Sequence, residues 1–230
     1  IEAQRLSDYD FESDISVNIL GHIFEQSLTD LEEIQSNISN TDFDIKKSKR
    51  KKDGVFYTPE YITKYIVDNT LGKLCDEKKK ELNLTQIEAP KNQTKLLKAE
   101  KQILENIYDY RNYLSKLKIL DPACGSGAFL NQALEFLITE HKYIDDYRRV
   151  YENEGLSLYD MKSDILKNNL YGVDINEDAV EIAKLSLWIR TATPQSELVK
   201  LADKIKCANS LLDMPFEEGS FDVVIGNPPY

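Results

Sequence analysis

A chain of 230 residues, 41% hydrophobic and 30% charged, carries enough apolar material for one substantial core, and that balance excludes a disordered polypeptide. Its 40 acidic residues outnumber 29 basic ones, and the net charge of −11 excludes binding to DNA through the overall field alone. No apolar run approaches the roughly 18 residues of a membrane span, and no signal-peptide core follows the charged start around Glu2, Arg5 and Asp8. Three scattered cysteines, Cys75, Cys124 and Cys207, with only His22 and His141 beside them, lack zinc-ligand spacing. The expectation is a reduced, metal-free cytoplasmic protein without membrane contact. Met161 and Met214 are the two methionines, so both ends read as internal to a longer sequence.

In chain order, Ile19, Ile23, Leu28, Leu31 and Ile34 recur at helical spacing and predict a packing helix over residues 15–38. The run Lys46 to Lys52 reads as an exposed basic loop. After Thr58-Pro59, the pattern Ile62, Tyr65, Ile66 and Leu74 predicts a helix from Glu60 toward Leu82, with Pro59 at its start. A second long helix is expected over Lys95–Leu117, the two forming a hairpin or arm. From Lys118 the pattern changes to short apolar strands alternating with helices, as in an open parallel sheet. Strands are expected at Lys118–Asp121, Leu170–Asp174, Lys204–Ala208 and Phe221–Gly226. Helices are expected at Ala128–Lys142, Leu158–Asn168 and Glu177–Thr193. The organisation expected is a helical region with its basic loop over 1–53, a motif plus helical arm over 54–117, and an α/β domain over 118–230.

Three motifs carry chemistry. Asp121-Pro122-Ala123-Cys124-Gly125-Ser126-Gly127 lies between a strand and a helix, where small residues let the backbone approach a ligand and the helix supplies free amides. Asp174 ends the next strand, where a carboxylate is placed for ribose hydroxyls; Asn176 is positioned to cap the following helix and leave Asp174 available. The interval from Asp121 to Asp174 far exceeds the roughly 20 residues of a dinucleotide-binding unit, which disfavours NAD. The fourth strand runs into Asn227-Pro228-Pro229-Tyr230, where rigid prolines can turn an amide oxygen, a carbonyl and a ring toward one pocket suited to a planar amine. Cys124 reads as a packing residue, since no histidine stands near it in the sequence.

Taken together, Asp121 to Leu130, Gly172 to Ile175 and Asn227 to Tyr230 resemble the amino-group DNA methyltransferases. Gly54-Val55-Phe56-Tyr57-Thr58-Pro59 resembles the segment ahead of the cofactor loop in adenine-specific enzymes of restriction-modification systems. Ile19 to Glu25 looks like the helical region preceding the methyltransferase domain in large fused restriction-modification enzymes. The resemblance implies a Rossmann-like, S-adenosylmethionine-dependent fold with strands 1–4 in spatial order 3-2-1-4, truncated before the remaining strands and preceded by a helical region.

It further implies that Asp121, Pro122, Ala123, Gly125, Ser126 and Gly127 hold the methionine part of S-adenosylmethionine, with Tyr57, Thr58 and Pro59 closing over it. Asp174 would bind the ribose and Ile175 would lie against the cofactor's adenine. Asn209, standing where Asp is commoner, would accept from the adenine amine, although a simple turn accounts for it equally. Asn227 and Pro228 would accept from the target amine, with Pro229 fixing the turn and Tyr230 stacking on a flipped base. Double-stranded DNA is the expected partner, through a target-recognition region outside these residues. The strand Val223-Val224-Ile225 would lie at an open edge and favour self-association. Glutamine methylation of release factors, cytosine amine methylation, and a non-catalytic cofactor-binding or interaction module remain alternatives.

Overall fold

The computed structural model describes residues 58–90, 96–152, 158–191 and 199–228, together with Ile23, Ser27 and Ile34. Those three are helical, within the helix expected over 15–38. The rest of that helix, the basic run, Tyr57, Pro229 and Tyr230 lie outside the described residues.

The chain turns into α1 (Glu60–Val67) at Pro59, whose carbonyl accepts from the amides of Ile62 and Thr63 at 2.9 and 3.2 Å. Pro59 therefore stands just before the helix. A single helix was expected to Leu82; instead Asp68–Gly72 forms a π-helical turn before α2 (Lys73–Glu81). At Gly72 the Phe136 ring comes within 3.6 Å of where a Cβ would stand. Helix α3 (Lys98–Lys116) starts with the Leu97 amide donating to Glu100 Oε2 at 2.6 Å.

Strand β1 (Ile119–Asp121) leads into α4 (Ala128–Glu152), ten residues longer than its sequence pattern suggested. The helix continues past Lys142 because Ile144, Asp145, Arg148 and Tyr151 extend its buried face. There follow α5 (Leu158–Asn168), β2 (Leu170–Asp174), α6 (Glu177–Thr191), β3 (Ile205–Cys207) and β4 (Val223–Val224).

All strand pairs are parallel, in the order β3-β2-β1-β4 that the resemblance implied. β4 is shorter than Phe221–Gly226 because its entry is held by a side chain: Asp222 Oδ2 accepts from Lys118 N at 2.8 Å. It lies at the sheet edge, with Val223 and Ile225 buried and Val224 61% exposed, as strand alternation dictates. Val67, Leu71 and Leu84, Ile107 and Leu114, and Ile119, Leu130 and Leu170 share one apolar cluster, so the helices before residue 118 pack into the same core as the sheet. No described helix is long and apolar enough to cross a membrane.

Candidate active site

The expected site residues among those described gather where the parallel strands end, because the β1–α4 connection crosses directly over β2. Asp121 is 1% exposed, and its Oδ1 accepts from the Ala123 amide at 3.1 Å. Burial pushes its carboxyl up to about 7, the Asp174 charge acts in the same direction, and the Ala123 amide opposes both. Cys124 N donates to Val173 O at 2.9 Å, Gly125 N to Asp174 Oδ2 at 2.7 Å, and Gly127 N to Cys124 O at 2.8 Å. Gly127 has φ of +89°, and a Cβ there would lie 3.2 Å from the Ala183 side chain, so both conformation and space require glycine. Pro122, Ala123, Gly125 and Ser126 are half-buried on the loop's outer side. Cys124 is buried and its thiol is pushed well above the ordinary range, which removes it as a nucleophile.

Asp174 is not wholly free, since its Oδ1 also accepts from Asn176 N at 2.9 Å. Asn176 Oδ1 caps α6 by accepting from Ala179 N at 3.0 Å. Ile175 beside it is 55% exposed. Ala208 N donates to Asp174 O at 2.9 Å, which brings Asn209 to the same sheet end. Asn209 Oδ1 accepts from Leu211 N at 3.0 Å, so it does shape a turn.

On the other side of β1, Gly226 presses on the Asp121 carboxyl: a Cβ there would fall 2.7 Å from Oδ1. Asn227 and Pro228 emerge next to it, exposed. Asn227 Nδ2 donates to the hydroxyl of buried Thr58 in a long 3.4 Å bond, while Asn227 itself is exposed. Two motifs 169 residues apart are thereby joined.

Residues 168–230, which contain β2, Asp174, Asn209 and the Asn227 turn, match the Eco57I restriction-modification methylase family. This segment belongs to that family. The methylase segment sits in a chain that is 33% identical over 219 residues to a putative type II restriction enzyme and methyltransferase of Methanocaldococcus jannaschii, across 87% of this chain and 17% of that protein. It is also 26% identical to the type II restriction enzyme and methyltransferase RM.Eco57I of Escherichia coli, across 97% of this chain and 22% of that one. DNA methyltransferase A of Bacillus subtilis is 33% identical over 135 residues, 51% of this chain and 15% of the relative. The chain thus spans less than a quarter of the length of these relatives.

Within and around the methylase segment, the sequence reading passed over three residues. Gly226 was read as the end of a strand, whereas its missing side chain makes room for Asp121. Asn131 and Ser186 lie buried behind the loop and hydrogen-bond each other at 2.8 Å. The available signal was the polar pair Asn131-Gln132 set between the apolar residues Phe129-Leu130 and Ala133-Leu134.

Proposed function

We propose that this chain provides the cofactor-binding and catalytic part of an enzyme that methylates the exocyclic amine of adenine in double-stranded DNA, within a restriction-modification system. The observation that carries the reading is the position of Asn227, presented beside the Asp121–Gly127 loop by Gly226 and tied to Thr58. Its amide oxygen is the acceptor that would meet the target amine.

The donor set suits S-adenosylmethionine. The first-turn amides of α4 have no partners within the helix and can receive a carboxylate. Asp174 stands at the end of β2, where a carboxylate can meet vicinal hydroxyls, and exposed Ile175 offers an apolar surface to a planar base. Asp121 and Asp174 make the site acidic, which favours a ligand carrying a sulfonium and an ammonium group. When bound, S-adenosylmethionine supplies an electrophilic methyl group.

Adenine's exocyclic nitrogen is a weak nucleophile because its lone pair is delocalised into the ring. Asn227 Oδ1 and the Pro228 carbonyl accept from its two N–H groups, which draws the lone pair out of the ring plane and aligns it for attack. Tyr57, Pro229 and Tyr230 keep the roles the resemblance implies, closing over the cofactor, fixing the turn and stacking on the flipped base. DNA contacts come from a target-recognition region elsewhere in the protein, consistent with the acidic balance of this chain. Among the described residues β4 is an edge strand, where a further strand could pair and bring about self-association.

The test is transfer of labelled methyl from S-adenosylmethionine to adenine in duplex DNA, with calorimetric titration of the cofactor alongside. Asp174→Ala is expected to weaken cofactor binding about 100-fold through lost charge-assisted hydrogen bonds. Asn227→Ala is expected to lower kcat at least about 100-fold with cofactor affinity retained. A folded full-length protein that binds no cofactor would overturn the reading.

A further inference from the structure

Asn131 follows Phe129 and Leu130 on the buried face of α4 and is itself 4% exposed. Its Nδ2 donates to Gly127 O and to Ser186 Oγ, both at 2.8 Å. Gly127 O already accepts the backbone amide of Asn131 at 2.9 Å, so the helix bond satisfies that carbonyl and the side-chain bond is additional. Ser186, fully buried on α6, sends its single proton toward Ala183 O at 2.8 Å, with Ser126 O 3.4 Å away. Among the described residues, Asn131 Oδ1 has no partner.

That last feature separates position from packing. A buried carbonyl with no donor is a cost to the folded state, and a leucine, branched alike though larger, would avoid it. What the amide gains is a second tie on the corner where the loop enters α4, anchored through Ser186 to α6. The same corner is otherwise fixed by the contact of Gly127 with Ala183.

We infer that Asn131 and Ser186 are positioning residues that hold the Ser126–Gly127 corner against α6, so that the cofactor loop has its binding shape before the cofactor is bound. The inference rests on the proposed cofactor site. Neither residue touches a reacting atom. Their removal acts on cofactor affinity through lost preorganisation and leaves turnover at saturating cofactor unchanged.

The experiment is calorimetric titration of S-adenosylmethionine into the full chain as wild type, Asn131→Leu, Ser186→Ala and the double variant, with thermal unfolding of each cofactor-free protein. Asn131→Leu is expected to raise Kd about tenfold, the scale of one or two hydrogen bonds, while Tm stays level or rises. Ser186→Ala is expected to give a smaller rise, and the double variant to match Asn131→Leu, because Ser186 acts through Asn131. Wild-type affinity in a folded Asn131→Leu protein overturns the inference, and so does a Kd that rises only in step with a falling Tm. If Asn131→Leu does not fold, Ser186→Ala decides: a raised Kd at unchanged Tm supports the inference and wild-type affinity overturns it. A folded wild type that binds no cofactor brings down the proposed function itself, whereas wild type and variants binding alike bring down this inference alone.

Discussion

Glu140 on the flank of α4 and Asp121 at the end of β1 are both buried carboxyl groups, yet they are surrounded in opposite ways. Glu140 Oε1 accepts from Lys79 Nζ at 3.1 Å and Oε2 from the Tyr110 hydroxyl at 2.6 Å, and Lys79 also pairs with Asp76 at 3.0 Å. These contacts tie α2, α3 and α4 together. Asp121 has only the Ala123 amide among the described residues, and the nearest charge, Asp174, is of the same sign. On the flank a buried charge is compensated and serves the fold. At the sheet end it is left undercompensated, which costs stability and concentrates negative potential where a cationic ligand would relieve it.

The comparison breaks first on the flank. Lys79→Met leaves Glu140 without its counter-charge and is expected to cost about 3 kcal/mol in urea unfolding, with cofactor affinity per folded molecule unchanged. No loss of stability would mean that the flank does not depend on the ion pair.

The next effect is one of pH. The folded Asp121 carboxyl lies at about 7, above its ordinary value of 3.8, so between those values the native state holds the proton more tightly than the unfolded chain. The stabilisation this brings is complete below 3.8 and is lost as pH rises through about 7. Relative to Asp121→Asn, wild-type stability is therefore expected to fall by up to about 1.4 kcal/mol per pH unit across that window. Parallel stability curves for the two proteins would mean that Asp121 is compensated after all.

The smallest effect tests the contact between Asp121 and the Asn227 turn. Gly226→Ala places a methyl 2.7 Å from Asp121 Oδ1. Overpacking of this kind is expected to cost about 1–2 kcal/mol, with a fall in methyl transfer larger than the fall in cofactor binding because Asn227 shifts. Equal losses in both would place the strain in the loop instead.

Much of the sheet end was legible because its signals are local. Asp121 to Gly127 between a strand and a helix, and the cap that Asn176 places on α6, depend on residues only a few positions apart. The capping role of Asn176 follows from its place before Glu177, and the structure bears it out. Less was legible where distant segments compete. The π-helical turn at Asp68–Gly72 lies where the Phe136 ring of α4 approaches Gly72, and nothing near Gly72 in the sequence announces that partner. Helix α4 outruns its expected end because Tyr151 and Arg148 find burial beside segments that are remote in sequence.

By itself, the sequence determined the α/β class and the parallel sheet, because strand and helix periodicity and turn chemistry act over a few residues; the strand order came from the resemblance that its motifs carry. Only the tertiary structure decided that Asp121 is buried against Gly226, that Asn227 reaches Thr58, and that Asn131 and Ser186 back the loop. Burial and long-range hydrogen bonding depend on which elements pack together, and that depends on the whole chain at once.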